Sequence, residues 1–231
     1  MMKFVNNPLR LVSAYIIVLI VGLSFESFMN VVSQEKVEAL ASVAAGVFLS
    51  RGIEEATIKE IATKSGIGEA TLYRRYKTKA QLVILAAGYL QNEVLASYFA
   101  QEAEGSGFEG LKAFYNVFKE VYENHPEYYR FLDEFDVFVA SYPNEAKSGY
   151  ETGIDQFKNI YLSLYEKGLQ DGSIRALEDP ESFYFATTHA TLSLCKKLSS
   201  QSVIAQDYRI DKSKELSVFI ETVLYRLDNK Q

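Results

Sequence analysis

Six cations, Lys59, Lys64, Arg74, Arg75, Lys77 and Lys79, fall within one short stretch, TIKEIATKSGIGEATLYRRYKTKAQL from Thr57 to Leu82, beside Thr57, Thr71 and Tyr73. Ammonium and guanidinium groups at this density suit a polyanion's phosphates, and short hydroxyls with a phenol can reach base edges. The residues for covalent chemistry are not arranged to do it. Serines, histidines and aspartates occur in no recognisable nucleophile motif, and no glycine-rich phosphate loop is present. Two histidines, His125 and His189, and one cysteine, Cys195, cannot build a structural zinc site or an intramolecular disulfide. The chain therefore reads as a non-enzyme without metal or cofactor, suited to a reducing cytoplasm.

The stretch carries its own helix punctuation. Thr57 with Glu60 forms a capping box, and Ile58, Ile61 and Ala62 share one face of the helix it opens. Ser65, Gly66 and Ile67 make the break, since glycine takes the left-handed conformation that ends a helix. A second helix is expected over 68–76 with Leu72 and Tyr76 as its buried side, leaving Glu69, Ala70, Thr71, Tyr73, Arg74 and Arg75 outward. Thr78 with Gln81 caps the next helix at Lys79. Two short helices joined by a tight turn suit the major groove. Spacing alone equally allows a helical pair in a larger all-α core with a solvated charged face.

IGEATLYRRYKTKAQL resembles the signature of the tetracycline-repressor (TetR) family of bacterial transcription regulators: a Thr-Leu-Tyr after a small residue, then aromatic-x-x-Lys-x-x-Leu. Those positions are Ala70, Thr71-Leu72-Tyr73, Tyr76, Lys79 and Leu82. The likeness is specific over roughly residues 34–94 and architectural beyond. It implies that Thr71, Tyr73 and Lys79 contact the DNA backbone or base edges, and that Thr57, Lys59 and Glu69–Thr71 lie against the groove. Two departures stand out. Glu69 puts a carboxylate at a base-facing position, where it would accept from cytosine N4 or repel phosphate. Arg75 stands where the family often has histidine, which makes it a candidate base reader.

Charge is divided unevenly. Residues 51–79 hold seven basic and four acidic residues, net +3, and residues 80–231 hold fourteen basic and twenty-three acidic, net −9. An acidic chain of this kind can still carry a local DNA-binding patch. At the start, Leu11 to Phe25 is fifteen uncharged residues preceded by Lys3 and Arg10, shorter than the roughly 20 a spanning helix needs. Three readings stand for this extension, residues 1–32: a start assigned upstream of Met29, a membrane tether, or an extra packing helix.

The expected organisation is that extension, a helix-turn-helix DNA-binding domain over 33–94 with its motif at about 57–76, and a helical effector-binding and dimerisation domain over 95–231. No strand-like alternation, repeat or low-complexity tract interrupts it, so the fold class is all-α. In the head, a bracing helix spans about 33–50, and the helix from Lys79 continues to about Ala103. In the body, helices are expected from Ser106 to Asn124, from Pro126 to about Tyr142, from about Asn144 to Gln170, from Pro180, and from about Ser213 to Leu227. Phe183, Phe185, Ala186, Ala190, Leu192, Leu194 and Cys195 surround nearly the whole of the helix from Pro180. With the last helix it offers apolar surface for a homodimer through about 180–199 and 213–228, or both are buried in a monomer core.

Aromatics crowd the body. Phe118, Tyr122, Phe135, Phe138, Tyr161 and Tyr165 are candidates to line a site for a small aromatic or hydrophobic effector, and an ordinary helical core reads the same way. His125, Asp133, Glu134, Asp136 and His189 could orient such a ligand. The simpler readings are a solvated acidic face and, at His189, a hydrogen-bonded core histidine. The resemblance implies an effector site here and a dimeric repressor on a palindromic operator, released when ligand spoils the half-site separation. The alternative is a membrane-tethered helical protein with a degenerate head.

Overall fold

The structure, a computed structural model, describes residues 25–99, 105–200, 209 and 211–229. The hydrophobic run that begins at Leu11 therefore lies, up to residue 24, outside the described residues. Among those described, no helix is long and apolar enough to cross a membrane. The described secondary structure is helical apart from one isolated bridge between Ile174 and Asp228. Two compact units meet in sequence at Glu93 and Val94.

The first unit is built on α1 (Phe25–Arg51), α2 (Ile58–Ser65), α3 (Glu69–Arg75) and most of α4 (Lys79–Tyr98). Helix α1 begins earlier than the expected residue 33, and Gly52 at φ +80° ends it. Leu40, Ala44, Val47 and Phe48 are buried at helical spacing, and α1 packs on α2 and α2 on α3. Thr57 caps α2, its hydroxyl accepting from the Glu60 N–H at 3.1 Å. Such a cap stabilises a helix by about 1 kcal/mol. The other half of the expected box is replaced: the Glu60 carboxylate pairs with Lys64 at 2.9 Å and Arg51 at 3.8 Å. At the far end Gly66 has φ +69° and the Ile67 N–H reaches the Ala62 carbonyl at 3.1 Å, a Schellman closure. The Gln81 backbone N–H donates to the Thr78 hydroxyl at 3.4 Å, while the Gln81 side-chain Oε1 accepts the Lys77 N–H at 2.9 Å, opening α4 as expected. Helix α4 ends at Tyr98, short of the expected 103, and residues 100–104 lie outside the description.

The second unit contains α5 (Gly107–Asn124), α6 (Pro126–Val139), α7 (Pro143–Gln170), α8 (Pro180–Ser199) and α9 (Lys212–Leu227), with α5 touching the other four. Ser106, Asp179 and Asp211 cap α5, α8 and α9 through the N–H three residues on. Where α5 crosses α7, Gly107 lies so close to Gly168 that a methyl on it would fall within the Gly168 backbone. Asp171 pins the crossing: Oδ2 accepts the Gly107 N–H at 2.7 Å, Oδ1 accepts the Ser173 N–H at 2.9 Å, and the Ser173 hydroxyl accepts the Phe108 N–H at 3.0 Å.

Helix α8 buries one stripe and leaves another side open. Its buried stripe is Tyr184, Thr188, Thr191, Cys195 and Leu198, while Ala186, His189 and Ala190 are exposed. The threonines can enter the core because Thr188 and Thr191 return their hydroxyls to the carbonyls of Tyr184 and Thr187 at 2.6 and 2.7 Å. The polar atom is satisfied within the helix and the methyl faces the packing.

Candidate nucleic-acid interface and effector core

The head presents α3 by anchoring one side of it. Leu72 is 1% exposed, buried at a cost-free apolar face that contributes about 2 kcal/mol. Glu69, Ala70, Thr71, Arg74 and Arg75 are exposed and Tyr73 is 46% exposed, so the outward set expected from helical spacing is outward. Gly68 stands at the cap position with no side chain to block the approach. Thr57 and Lys59 on α2 are exposed as well, and Thr57 also holds the cap of its helix.

Cations frame this surface. The Arg75 guanidinium lies 5.8 Å from the centre of the Tyr76 ring, a contact that steadies it while leaving its N–H groups available. Lys79 is half-buried and its Nζ donates to the Glu54 carbonyl at 2.8 Å. Burial pulls the Lys79 pKa below the ordinary lysine value, and the Glu54 carboxylate acts against that shift. The exposed pairs Glu60–Lys64 and Glu60–Arg51 are solvent-screened and contribute well under about 1 kcal/mol each. An assembly of exposed short polar groups on a seven-residue helix, flanked by cations, can dock against phosphates and offer donors and acceptors to base edges.

In the second unit the candidate effector residues separate into groups. Tyr161 and Tyr165 are buried in a cluster with Leu111, Phe114, Tyr115 and Tyr184, and Phe118 packs against it. Most of the rings meet edge-on or tilted, as Phe114 and Tyr161 do at 5.8 Å and Tyr161 and Tyr184 at 5.0 Å, while Tyr161 and Tyr165 stack nearly parallel at 6.3 Å. Phe135, although buried, belongs with Phe131, and Phe138 with Tyr142, away from that cluster. Tyr122 is half-buried near Cys195 and Glu215. His189 is exposed with its ring against Phe185, which corrects the expectation of a hydrogen-bonded core histidine.

Sequence reasoning missed the polar side of this core. Tyr115 shares a 2.6 Å hydrogen bond with the Thr187 hydroxyl, and the Tyr165 oxygen accepts the Leu177 N–H at 2.8 Å. Burial raises the Tyr115 pKa, with the Thr187 bond acting against it, and pushes Tyr184 up to about 12. Tyr161 is 0% exposed, and its hydroxyl has no hydrogen-bond partner among the described residues. The Tyr184, Thr188, Thr191 spacing was the signal, hidden because threonine counts as polar in a periodicity search. The acids expected to orient a ligand lie elsewhere: Asp133 and Glu134 are exposed, and Asp136 forms an ion pair with the buried Lys196. His125 sits 3.6 Å from Glu127.

Between α8 and α9 runs an open trough of about 510 Å³, walled by Ala190, Leu194, Val218 and Phe219. Val218 and Tyr225 on α9 are 54% and 64% exposed.

Residues 40–86 match the family model described as bacterial regulatory proteins, tetR family. The HTH-type transcriptional repressor KstR2 of Rhodococcus jostii (strain RHA1) is 26% identical over 147 residues, covering 62% of this chain and 69% of that protein. KstR2 of Mycolicibacterium smegmatis, also described as an HTH-type transcriptional repressor, is 23% identical over 155 residues, covering 64% and 71%. Among solved structures, a TetR-family transcriptional regulator from Agrobacterium tumefaciens superposes with a TM-score of 0.64 at 11% identity, over 84% of this chain and 98% of that one. The structure of the ketosteroid transcriptional regulator KstR2 of Mycobacterium tuberculosis gives 0.55 at 19%, over 82% and 93%. At these identities the superpositions establish the shared fold.

Proposed function

We propose that this chain, whose residues 40–86 match the tetR family of bacterial regulatory proteins, is a DNA-binding transcriptional regulator acting as a homodimeric, ligand-relieved repressor of a partly palindromic operator. The observation that carries this reading is α3 itself, a helix held by Leu72 with Glu69 to Thr71 and Tyr73 to Arg75 free to enter a major groove. One head covers one half-site, so two copies are required, spaced about 34 Å apart for half-sites one turn apart. The apolar trough of α8 and α9, with Val218 and Tyr225 exposed beside it, supports pairing through about 180–199 and 213–228. Repression follows the description of the KstR2 relatives.

The effector reading rests on the aromatic cluster around Tyr161. A buried hydroxyl without a partner costs about 1–3 kcal/mol. A small, mostly apolar ligand with one hydrogen-bond acceptor would remove that cost while its rings or chain separate Phe114, Tyr115 and Tyr184. Helix α4, which begins in the first unit and ends in the second, is the element through which such a change is felt at the head. A thousandfold loss of operator affinity requires about 4 kcal/mol of ligand preference for the released state. Gel-shift titration at two salt concentrations, using fragments selected from the host genome, tests the DNA reading. A steep salt dependence and a specificity ratio far above bulk DNA are expected, and weak binding without sequence preference would refute it.

A further inference from the structure

Glu69 is the first residue of α3, and in a helix-turn-helix the N-terminal residues of the second helix are those that meet base edges. Its neighbours Gly68 and Ala70 are too small to screen it, and its side chain is exposed. The carboxylate has no ion-pair or hydrogen-bond partner among the described residues. Glu60, in the same head, is by contrast held by Lys64 and Arg51. A free carboxylate in a segment of net charge +3 works against the general attraction for phosphates; the positive end of α3 favours it there, and its place on the exposed face of the reading helix sets it towards base edges.

An ionised carboxylate only accepts hydrogen bonds. In the major groove the guanine edge offers N7 and O6 acceptors, which would repel it, and thymine offers O4 and a methyl group. Adenine places its N6 donor beside the N7 acceptor, whereas cytosine presents its N4 amino group alone. We infer that Glu69 is a specificity-determining residue that reads a cytosine in each operator half-site through the N4 amino group. This rests on α3 being the recognition helix, as proposed above.

The test is parallel selection of bound duplexes from a random-sequence pool by the full-length wild-type protein and by Glu69→Gln. An exposed, unpartnered side chain can be exchanged for its neutral isostere with the fold intact, which an unchanged thermal midpoint checks. Wild type selects a half-site in which replacing one cytosine weakens binding about tenfold or more. In Glu69→Gln that penalty falls to within about twofold and adenine is enriched at the position, as glutamine's pairing with adenine N6 and N7 requires. If the variant keeps the same cytosine preference and only binds all DNA more tightly, the carboxylate acts through its charge and the inference is overturned. If wild type selects a clear motif with no cytosine dependent on Glu69, the inference fails and the operator reading stands. If wild type selects no motif, both fail.

Discussion

The ammonium of Lys79 donates to the backbone carbonyl of Glu54 at 2.8 Å, tying the start of α4 to the turn between α1 and α2. The lysine that resemblance assigns to DNA phosphate thus also holds the loop preceding α2. Lys79→Ala is expected to lower affinity for every DNA sequence and to reduce the salt slope by about one. It should also cost about 1 kcal/mol of stability through the lost bond. Arg75→Ala should instead leave stability within about 0.5 kcal/mol, as for other exposed sites, and relax base preference at one position. Titrations on specific and bulk DNA with denaturant unfolding separate the two. Identical DNA effects would contradict the division of labour.

At the α5–α7 crossing there is no room for a side chain. A Cβ on Gly107 would overlap the Gly168 backbone and approach the Leu164 carbonyl, and neither can yield as a flexible side chain would. Gly107→Ala is therefore expected to destabilise by about 3 kcal/mol or more, at the upper end of overpacking costs. Gly46→Ala, where an added methyl meets nothing within 4 Å, is the control and should be neutral or stabilising in its helix. Urea midpoints of the two variants check the contrast.

The head was legible because its signals are local. Thr57, Gly66 and Thr78 fix where its helices begin and end, and one buried leucine decides which way α3 faces. The body was less so. The Gly107–Gly168 approach joins residues far apart in sequence, and neither glycine carries a pattern that names its partner. Helix α8 was read by its apolar letters, yet Thr188 and Thr191 are buried and Ala186 and Ala190 are exposed, because intrahelical bonds make threonine an acceptable core residue. Lys196 in the core was equally hidden until Asp136 on α6 came beside it.

Asp171 gives the stability a dependence on acid pH. Hydrogen bonds from the Ser173 hydroxyl and from the Gly107 and Ser173 N–H groups hold its pKa below the usual carboxylate value. The unfolded chain therefore takes up this proton first as pH falls. The contribution is complete above the unfolded aspartate pKa and is lost as pH drops through the lower folded one. Asp179, held below the usual value by Ser182, acts in the same sense. Asp171→Asn should lower stability at neutral pH and flatten its decline below about pH 4. Chemical denaturation at stepped pH measures this, and a parallel decline in variant and wild type would show that other groups dominate.

On the proposed pairing, the α8–α9 surface would tie oligomeric state to operator affinity. Ala186, Ala190 and Ser193 recur at helical spacing on the exposed side of α8, small enough for a second pair of helices to approach closely. Val218 on α9 stands at the edge of the same trough. Placing a carboxylate there by Val218→Glu would take a charge out of water in each half of a two-fold interface, while in the separated chain the side chain stays in water. Light scattering should give twice the chain mass for wild type and the single mass for the variant, with the helical signal unchanged. A single head forfeits the effective concentration supplied by its partner, so affinity for a two-half-site operator should fall by about 10²–10⁴ while affinity for one half-site stays the same. A wild type that remains monomeric at high concentration, or a variant that loses half-site binding equally, would remove this surface from the mechanism.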